Sequence, residues 1–186
     1  MNKVVTKVNN DPYLFGLKVK LRLESLPSKS EVTVLDCFGG EGMLWKSVKS
    51  LSDKNIKVLS IDKAEYQKVN LKGDNLKFIK DMDLSYFDII DLDSYGSPSN
   101  QLELISNKNY KGIIHCTFIQ TMMGGVNHNI LFSLGYTRKM IKKCPTLFNK
   151  NGIDKLLLFV KLKFNVDKVR IVTYYNKNYF YFVVNQ

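Results

Sequence analysis

The chain has few of the features that usually announce a function. No apolar run approaches the roughly 20 residues a membrane-spanning helix needs; Leu156-Leu-Leu-Phe-Val160 is broken by Lys161 and Lys163. The first seven residues hold no signal-peptide core, so a cytoplasmic protein with no membrane association is expected. Cys37, Cys116 and Cys144 lack metal-ligand spacing, and no metal site is expected. Cys37 and Cys116 lie in apolar, strand-like runs and read as buried free thiols in a reducing compartment. Neither G-x-G-x-x-G nor a P-loop is present, which removes the usual pyrophosphate cradles. There is no internal repeat, low-complexity tract or Pro/Ser-rich linker, so one domain is expected over residues 31–186, after an N-terminal appendage at 1–30.

Arginine is also scarce: Arg22, Arg138 and Arg170 stand among many lysines, and the net charge is +11. A basic surface suits a polyanion, nucleic acid first. The same Lys-, Asn- and Ile-rich composition also follows from an AT-rich coding sequence, and both readings stand.

What is present is alternation. At 186 residues and 45% apolar content the chain can bury a substantial core. Strands are expected at Val32–Phe38, Ile56–Asp62, Val69–Lys72, Phe87–Asp93 and Gly112–Ile119. Between and after them lie helical patterns at Gly42–Leu51, Asn75–Met82, Pro98–Ser106 (capped by Ser97) and Asp154–Lys163. Val169–Tyr175 and Tyr179–Val184 flank Asn176-Lys-Asn178, a hairpin signal. The fold expected is α/β, a Rossmann-like and mostly parallel sheet with an antiparallel C-terminal hairpin strand. Ligands in such sheets bind at the carboxyl ends of the strands. Asp11-Pro12-Tyr13 has no strand before it and reads as a helix-entry turn.

The candidate residues fall at those carboxyl ends. Asp36-Cys-Phe-Gly-Gly-Glu-Gly42 is a strand end, a glycine corner and a helix start, where a ligand can come close to the backbone. Asp62 ends the second strand and can accept from both hydroxyls of a ribose, or cap Lys63–Tyr66. Gly73-Asp74-Asn75 follows the third strand. Asp74 can accept from an adenine amino group, with the Asn75 N–H on a ring nitrogen, or serve as a helix N-cap, and the two roles can coexist. Asp91-Leu-Asp-Ser-Tyr-Gly-Ser-Pro98 ends the fourth strand with two acids, an aromatic and a glycine turn. The Asp93 carboxylate and Ser94 carbonyl can orient the N–H groups of a planar amine, and Tyr95 can stack on a base. His115 reads as a core residue, and His128 as a loop residue on the ligand side, beside Gly124-Gly125. Tyr174, Tyr175, Tyr179 and Tyr181 suit either base stacking or strand packing.

Over about residues 30–120 these motifs resemble the class I S-adenosylmethionine-dependent methyltransferases. Asp36–Gly42 is similar to that family's methionine-binding loop, Asp62 to its ribose acid and Asp74 to its adenine-side acid. Asp91–Pro98 is similar to the Asp-Pro-Phe/Tyr-Gly motif of amine-directed members, and most of all to the tRNA guanine-N2 dimethyltransferases, with Ser94 where they carry proline. The resemblance covers the catalytic module only. It implies Asp91, Asp93, Ser94 and Tyr95 as catalytic residues. It implies Asp36, Phe38, Gly40, Gly42, Asp62, Lys63, Asp74 and Asn75 around S-adenosylmethionine. The activity implied is methyl transfer to an exocyclic nucleobase amine, in RNA before DNA. A recognition partner or homo-oligomer fits the absence of a binding domain. The rival readings are a protein or small-molecule methyltransferase and a non-catalytic cofactor- or nucleic-acid-binding subunit.

Overall fold

The computed structural model describes residues 11–64, 66, 68–120, 125–144 and 151–185. Helix α1 (Pro12–Ser25) opens on Asp11, whose carboxylate accepts from the N–H groups of Tyr13 and Leu14, with Pro12 in the first turn. Asp11-Pro12 is therefore the helix entry its sequence implies. Next come β1 (Glu31–Asp36), α2 (Met43–Ser50), β2 (Asn55–Asp62), β3 (Leu71–Lys72) and α3 (Asn75–Asp81). A single 3-10 turn (Leu84–Tyr86) precedes β4 (Ile89–Leu92), α4 (Ser99–Ser106) and β5 (Gly112–Ile119). Then follow α5 (His128–Ser133), α6 (Arg138–Lys143), α7 (Gly152–Phe164), β6 (Val169–Tyr174) and β7 (Lys177–Val184).

The strands form one seven-stranded sheet in the order β3-β2-β1-β4-β5-β7-β6. β1 pairs in parallel with β2 and β4, and β4 in parallel with β5. β7 inserts antiparallel between β5 and β6, closing the hairpin expected at the C-terminus. The chain order reverses at β1/β4, which is where an open α/β sheet forms its ligand crevice.

Helices cover both faces. On one face α1 and α2 pack through Val19, Trp45 and Val48 against Val32, Val34 and Ile89. On the other, α3, α4, α5 and α7 lay Ile79, Leu102, Ile130 and Phe159 over Leu35, Ile90 and Ile114. All four residues of β4 are buried, as a central parallel strand requires. Strand alternation sends Ile90 and Leu92 to the second face, and Ile89 and Asp91 to the face carrying α1 and α2. α1 is thus packed into the domain it precedes, although the sequence places it in an appendage; residues 1–10 of that appendage lie outside the described residues.

Local differences from the expected elements have local causes. The hairpin reverses at Tyr175-Asn176, because Tyr174 pairs with Lys177; Tyr175 takes the left-handed conformation (φ 53°) the tight turn requires. α4 begins one residue past Pro98, and Ser97 hydrogen-bonds Ser99 rather than capping the helix. α5 and α6 are helices that the periodicity left unassigned, each capped by a side chain: Asn127 Oδ1 accepts from Ile130 N at 2.8 Å, and Thr137 Oγ1 from Met140 N at 3.2 Å.

Candidate active site

The glycine corner after β1 is shaped by contact with β2. Gly39 N donates to Ile61 O at 3.0 Å, and a Cβ on Gly39 would lie 2.7 Å from the Cβ of Ser60. Only glycine allows that approach. Gly40 and Gly42 take positive φ (47° and 68°), and Gly42 leads into α2. The corner forms the wall of a two-lobed cleft over the carboxyl ends of the strands. One lobe, of about 590 Å³, is lined by Asp36, Phe38, Gly40, Gly42 and Met43. The other, of about 450 Å³, is lined by Asp62, Lys63, Asp93, Ser94, Tyr95 and Tyr179. Phe15, Lys18, Phe38, Gly40, Tyr66 and Asp93 border both lobes, so they are continuous. Each lobe lies in the volume range of small-molecule sites.

Asp62 projects from the end of β2 and accepts from Gly40 N and Ala64 N, each at 2.9 Å. It both caps its own turn and fixes the glycine corner, and each oxygen keeps a second lone pair toward the cleft. Lys63 lines the same lobe, and its ammonium lies 3.4 Å from Asp74. Asp36 is buried; burial first, then neighbouring Asp91, push its carboxyl well above the ordinary carboxylate range.

One expected site residue, Asp91, does not reach the cleft, and two others, Asp74 and Asn75, use their side chains to hold α3. Asp91 is 0% exposed and lines neither lobe. Its Oδ2 accepts from Arg22 Nε at 3.0 Å and Trp45 Nε1 at 2.9 Å, and its Oδ1 from Arg22 Nη2 at 2.6 Å. A carboxylate held this way joins β4 to α1 and α2, and cannot meet a substrate. Asp74 caps α3 through Leu76 N at 3.1 Å and lines neither lobe. Asn75 is buried: its amide donates to Cys37 O at 2.7 Å and accepts from Gln101 Nε2 at 3.0 Å. Its side chain ties α3 and α4 to the end of β1, while the ligand contact expected of Asn75 is through its backbone N–H.

The acid that does face the cleft is Asp93, one residue past β4. Lys18 Nζ lies 2.7 Å from its carboxylate, and Thr117 Oγ1 donates to Oδ1 at 2.5 Å. Burial alone would raise this carboxyl. Lys18, then Arg22, together with the hydrogen bonds from Lys18 and Thr117, outweigh burial and hold it below the ordinary range, hence ionised. Ser94 is buried, with Oγ donating to Thr117 O at 2.8 Å and its N–H to Leu92 O at 2.8 Å. The hydroxyl fastens the loop to β5. Tyr95 is 79% exposed at the mouth.

The tyrosine cluster divides. Tyr179 is buried, its hydroxyl pushed up to about 12 by burial and then by Asp93. Tyr181 packs in the domain core beside His115, with ring centroids 5.1 Å apart. Tyr175 is 87% exposed and stands edge-on to Tyr174 (4.7 Å), which in turn meets exposed Tyr13 (5.7 Å). These rings flank Leu14 and Lys177 of the cleft lining. His115 is a core residue as expected. Ser25 Oγ donates to Arg22 O, so it accepts from His115 Nε2–H at 2.7 Å, and Nδ1 is left bare and buried. Burial, then Arg22, hold this imidazole well below its ordinary pKa. His128 is exposed as the first residue of α5 and lines neither lobe; Gly124 lies outside the described residues. Cys37 and Cys116 are buried free thiols, and no metal-holding cluster occurs among the described residues.

Sequence reading missed Lys18, which pairs with Asp93 at the cleft, and Arg22, which pairs with Asp91 beneath it. Their only local signal is the spacing of four that puts them on one helix face.

No family model and no curated protein matches the chain. Solved structures do. Phosphoethanolamine N-methyltransferase 2 of Haemonchus contortus, in complex with S-adenosyl-L-methionine, superposes over 92% of this chain with a TM-score of 0.58 at 9% identity. The chain spans 53% of that protein's length. A putative rRNA methylase from Clostridium thermocellum matches 89% of this chain and 92% of its own (TM-score 0.51, 15% identity). Precorrin-6y C5,15-methyltransferase from Geobacter metallireducens matches 95% and 89% (TM-score 0.53, 9% identity). At such identities the likeness is one of fold, and the fold is that of the S-adenosylmethionine-dependent methyltransferases.

Proposed function

We propose that the protein is an S-adenosylmethionine-dependent N-methyltransferase that modifies an exocyclic amine of a nucleobase, in RNA before DNA. The observation that carries this reading is Asp93: an ionised carboxylate at the end of a central strand, opening onto the same cleft as the glycine corner and Asp62. The residues present fit the cofactor. Asp62 offers acceptors for ribose hydroxyls, Gly40 and Gly42 allow close backbone approach, and Phe38 and Tyr66 give apolar walls. Asp74 caps α3 with Oδ1 while its Oδ2 lies 3.4 Å from cleft-lining Lys63, so it keeps its place as the adenine-side acid in this reading. S-adenosylmethionine supplies a methyl group already activated by its sulfonium.

The chain's own task is then alignment. Asp93 accepts an N–H of the target amine and stabilises charge growing on nitrogen, with the Ser94 carbonyl as second acceptor. Tyr95 stacks on the base. A target inside a duplex would have to be extruded to reach this depth. Nucleic acid as the partner is supported by the net charge of +11 and by the exposed Arg138, Lys139, Lys142 and Lys143 of α6. One fold neighbour, a putative rRNA methylase, is named for a nucleic-acid substrate, which is in keeping with this partner.

The test is incubation with labelled S-adenosylmethionine and separate pools of tRNA, rRNA and DNA, followed by nucleoside mass spectrometry. A methylated exocyclic amine is expected, and it should vanish in Asp93→Ala while calorimetry still shows cofactor binding. Label in none of the pools, or full turnover by Asp93→Ala, refutes the assignment.

A further inference from the structure

The cation beside the proposed acceptor seat comes from α1. Lys18 Nζ lies 2.7 Å from the Asp93 carboxylate and 5.4 Å from the centre of the Tyr179 ring. The pair is mostly enclosed, with side-chain exposures of 22% and 18%. Resting on the reading of Asp93 as the amine acceptor, we propose that Lys18 sets the charge of the substrate this site takes, admitting an uncharged amine and turning away an ammonium.

The argument is one of charge against acceptor capacity. An ionised carboxylate offers about four lone-pair positions. Lys18 and Thr117 leave room for at least one N–H from a substrate. The negative charge is a different matter, because Lys18 already balances it. An isolated carboxylate at a strand end would favour a cation, since charge-assisted hydrogen bonds are the stronger ones. Here an incoming ammonium meets a second cation held on the same carboxylate. Nor is there relief from below, where Asp91 is already paired with Arg22. Asp62 shares the lobe, but its carboxylate is engaged by the backbone N–H groups of Gly40 and Ala64, and Lys63 and Lys177 line the same lobe. A nucleobase amine is neutral and planar, so it uses the remaining acceptor without the repulsion.

A merely structural Lys18 would tie α1 to the end of β4 with no effect on ligand charge, and the experiment separates the two roles. Binding of benzylamine (an ammonium at neutral pH) and of guanosine (a neutral exocyclic amine) is measured by NMR titration. The full-length chain and its Lys18→Met, Lys18→Gln and Lys18→Arg variants are compared, with folding checked by circular dichroism. Benzylamine should bind Lys18→Met and Lys18→Gln about tenfold or more tightly than wild type, as expected when a like charge is removed from an enclosed site. Lys18→Arg should behave as wild type. The pH below which guanosine binding is lost should rise in Lys18→Met, because Asp93 loses the cation that holds its pKa down. No gain for benzylamine in either neutral variant overturns the proposal, whether all forms bind it or none does. The underlying reading is checked separately: failure of wild type to bind S-adenosylhomocysteine by calorimetry refutes that reading, not the role of Lys18.

Discussion

Arg22 grips Asp91 with two prongs, Nε to Oδ2 at 3.0 Å and Nη2 to Oδ1 at 2.6 Å, and neither side chain is more than 1% exposed. One helical turn earlier, Lys18 meets Asp93 through its single ammonium nitrogen at 2.7 Å. The match is geometric. Four residues of helix rise about 6 Å, and two residues of strand about 6.6 Å. Two cations at i and i+4 on α1 therefore fall in register with two acids at i and i+2 along β4. The deeper pair is structural; the shallower one opens onto the cleft.

The deeper pair makes a stability prediction. Removing one member strands a buried charge, so Asp91→Ala should lose about 3–5 kcal/mol. Replacing both, as Arg22→Met with Asp91→Leu, should recover most of that loss, less the bond that Trp45 gives up. Urea denaturation of the two single variants and the double variant checks this. Additive losses would contradict it.

Asp36 predicts a dependence on pH. Burial and then Asp91 raise its carboxyl well above the ordinary range. Over the window from that range up to the raised value, the folded chain keeps a proton that the unfolded chain has released. Stability contributed by the protonated form therefore falls as pH rises through that window. Asp36→Asn removes the titration. The difference in unfolding free energy between wild type and this variant should shift against wild type as pH rises. A pH-independent difference would dismiss the effect.

Asp62 joins two functions, since its carboxylate fixes the glycine corner and faces the cleft. Loss of a charge-assisted bond costs about 1.5–3 kcal/mol, so Asp62→Ala should weaken S-adenosylmethionine binding roughly 10- to 100-fold. Calorimetry measures it, and unchanged affinity would take Asp62 out of the site.

The exposed rings at the rim predict how nucleic acid is gripped. Stacking is worth about 1–3 kcal/mol per base, so Tyr95→Ala and Tyr175→Ala should each weaken single-stranded oligonucleotide binding about fivefold or more. Buried Tyr179 should have no stacking role. Anisotropy titrations over a range of salt should also show affinity falling with a log–log slope of about −0.7 per phosphate contacted. A flat salt response with normal binding in both variants would remove nucleic acid as the partner.

The residues of the glycine corner and Asp62 were legible because their cause is local. A strand must end before a ligand can approach it, and an acid, a glycine turn and a helix start record that ending within a few positions. The same local logic misled at Asp91. It stands at a strand end, as Asp62 does, and one-dimensional spacing cannot tell the cleft side from the packed side. Asp91 lies two residues before Asp93, on the same side of the strand, but one helical turn deeper under α1. Asp74 had two compatible roles in sequence, and the structure shows the helix cap.

The sequence by itself determined the alternation of strand and helix, the C-terminal hairpin and the carboxyl-end position of the cleft. These follow from side-chain periodicity and turn chemistry, which act over a few residues. Tertiary structure decided which acids carry charge into the cleft. Lys18 and Asp93 are 75 positions apart, and Arg22 and Asp91 are 69 apart. Only the packing of α1 across β4 brings each cation to its acid, and ion pairing depends on distance in space, which chain spacing does not record.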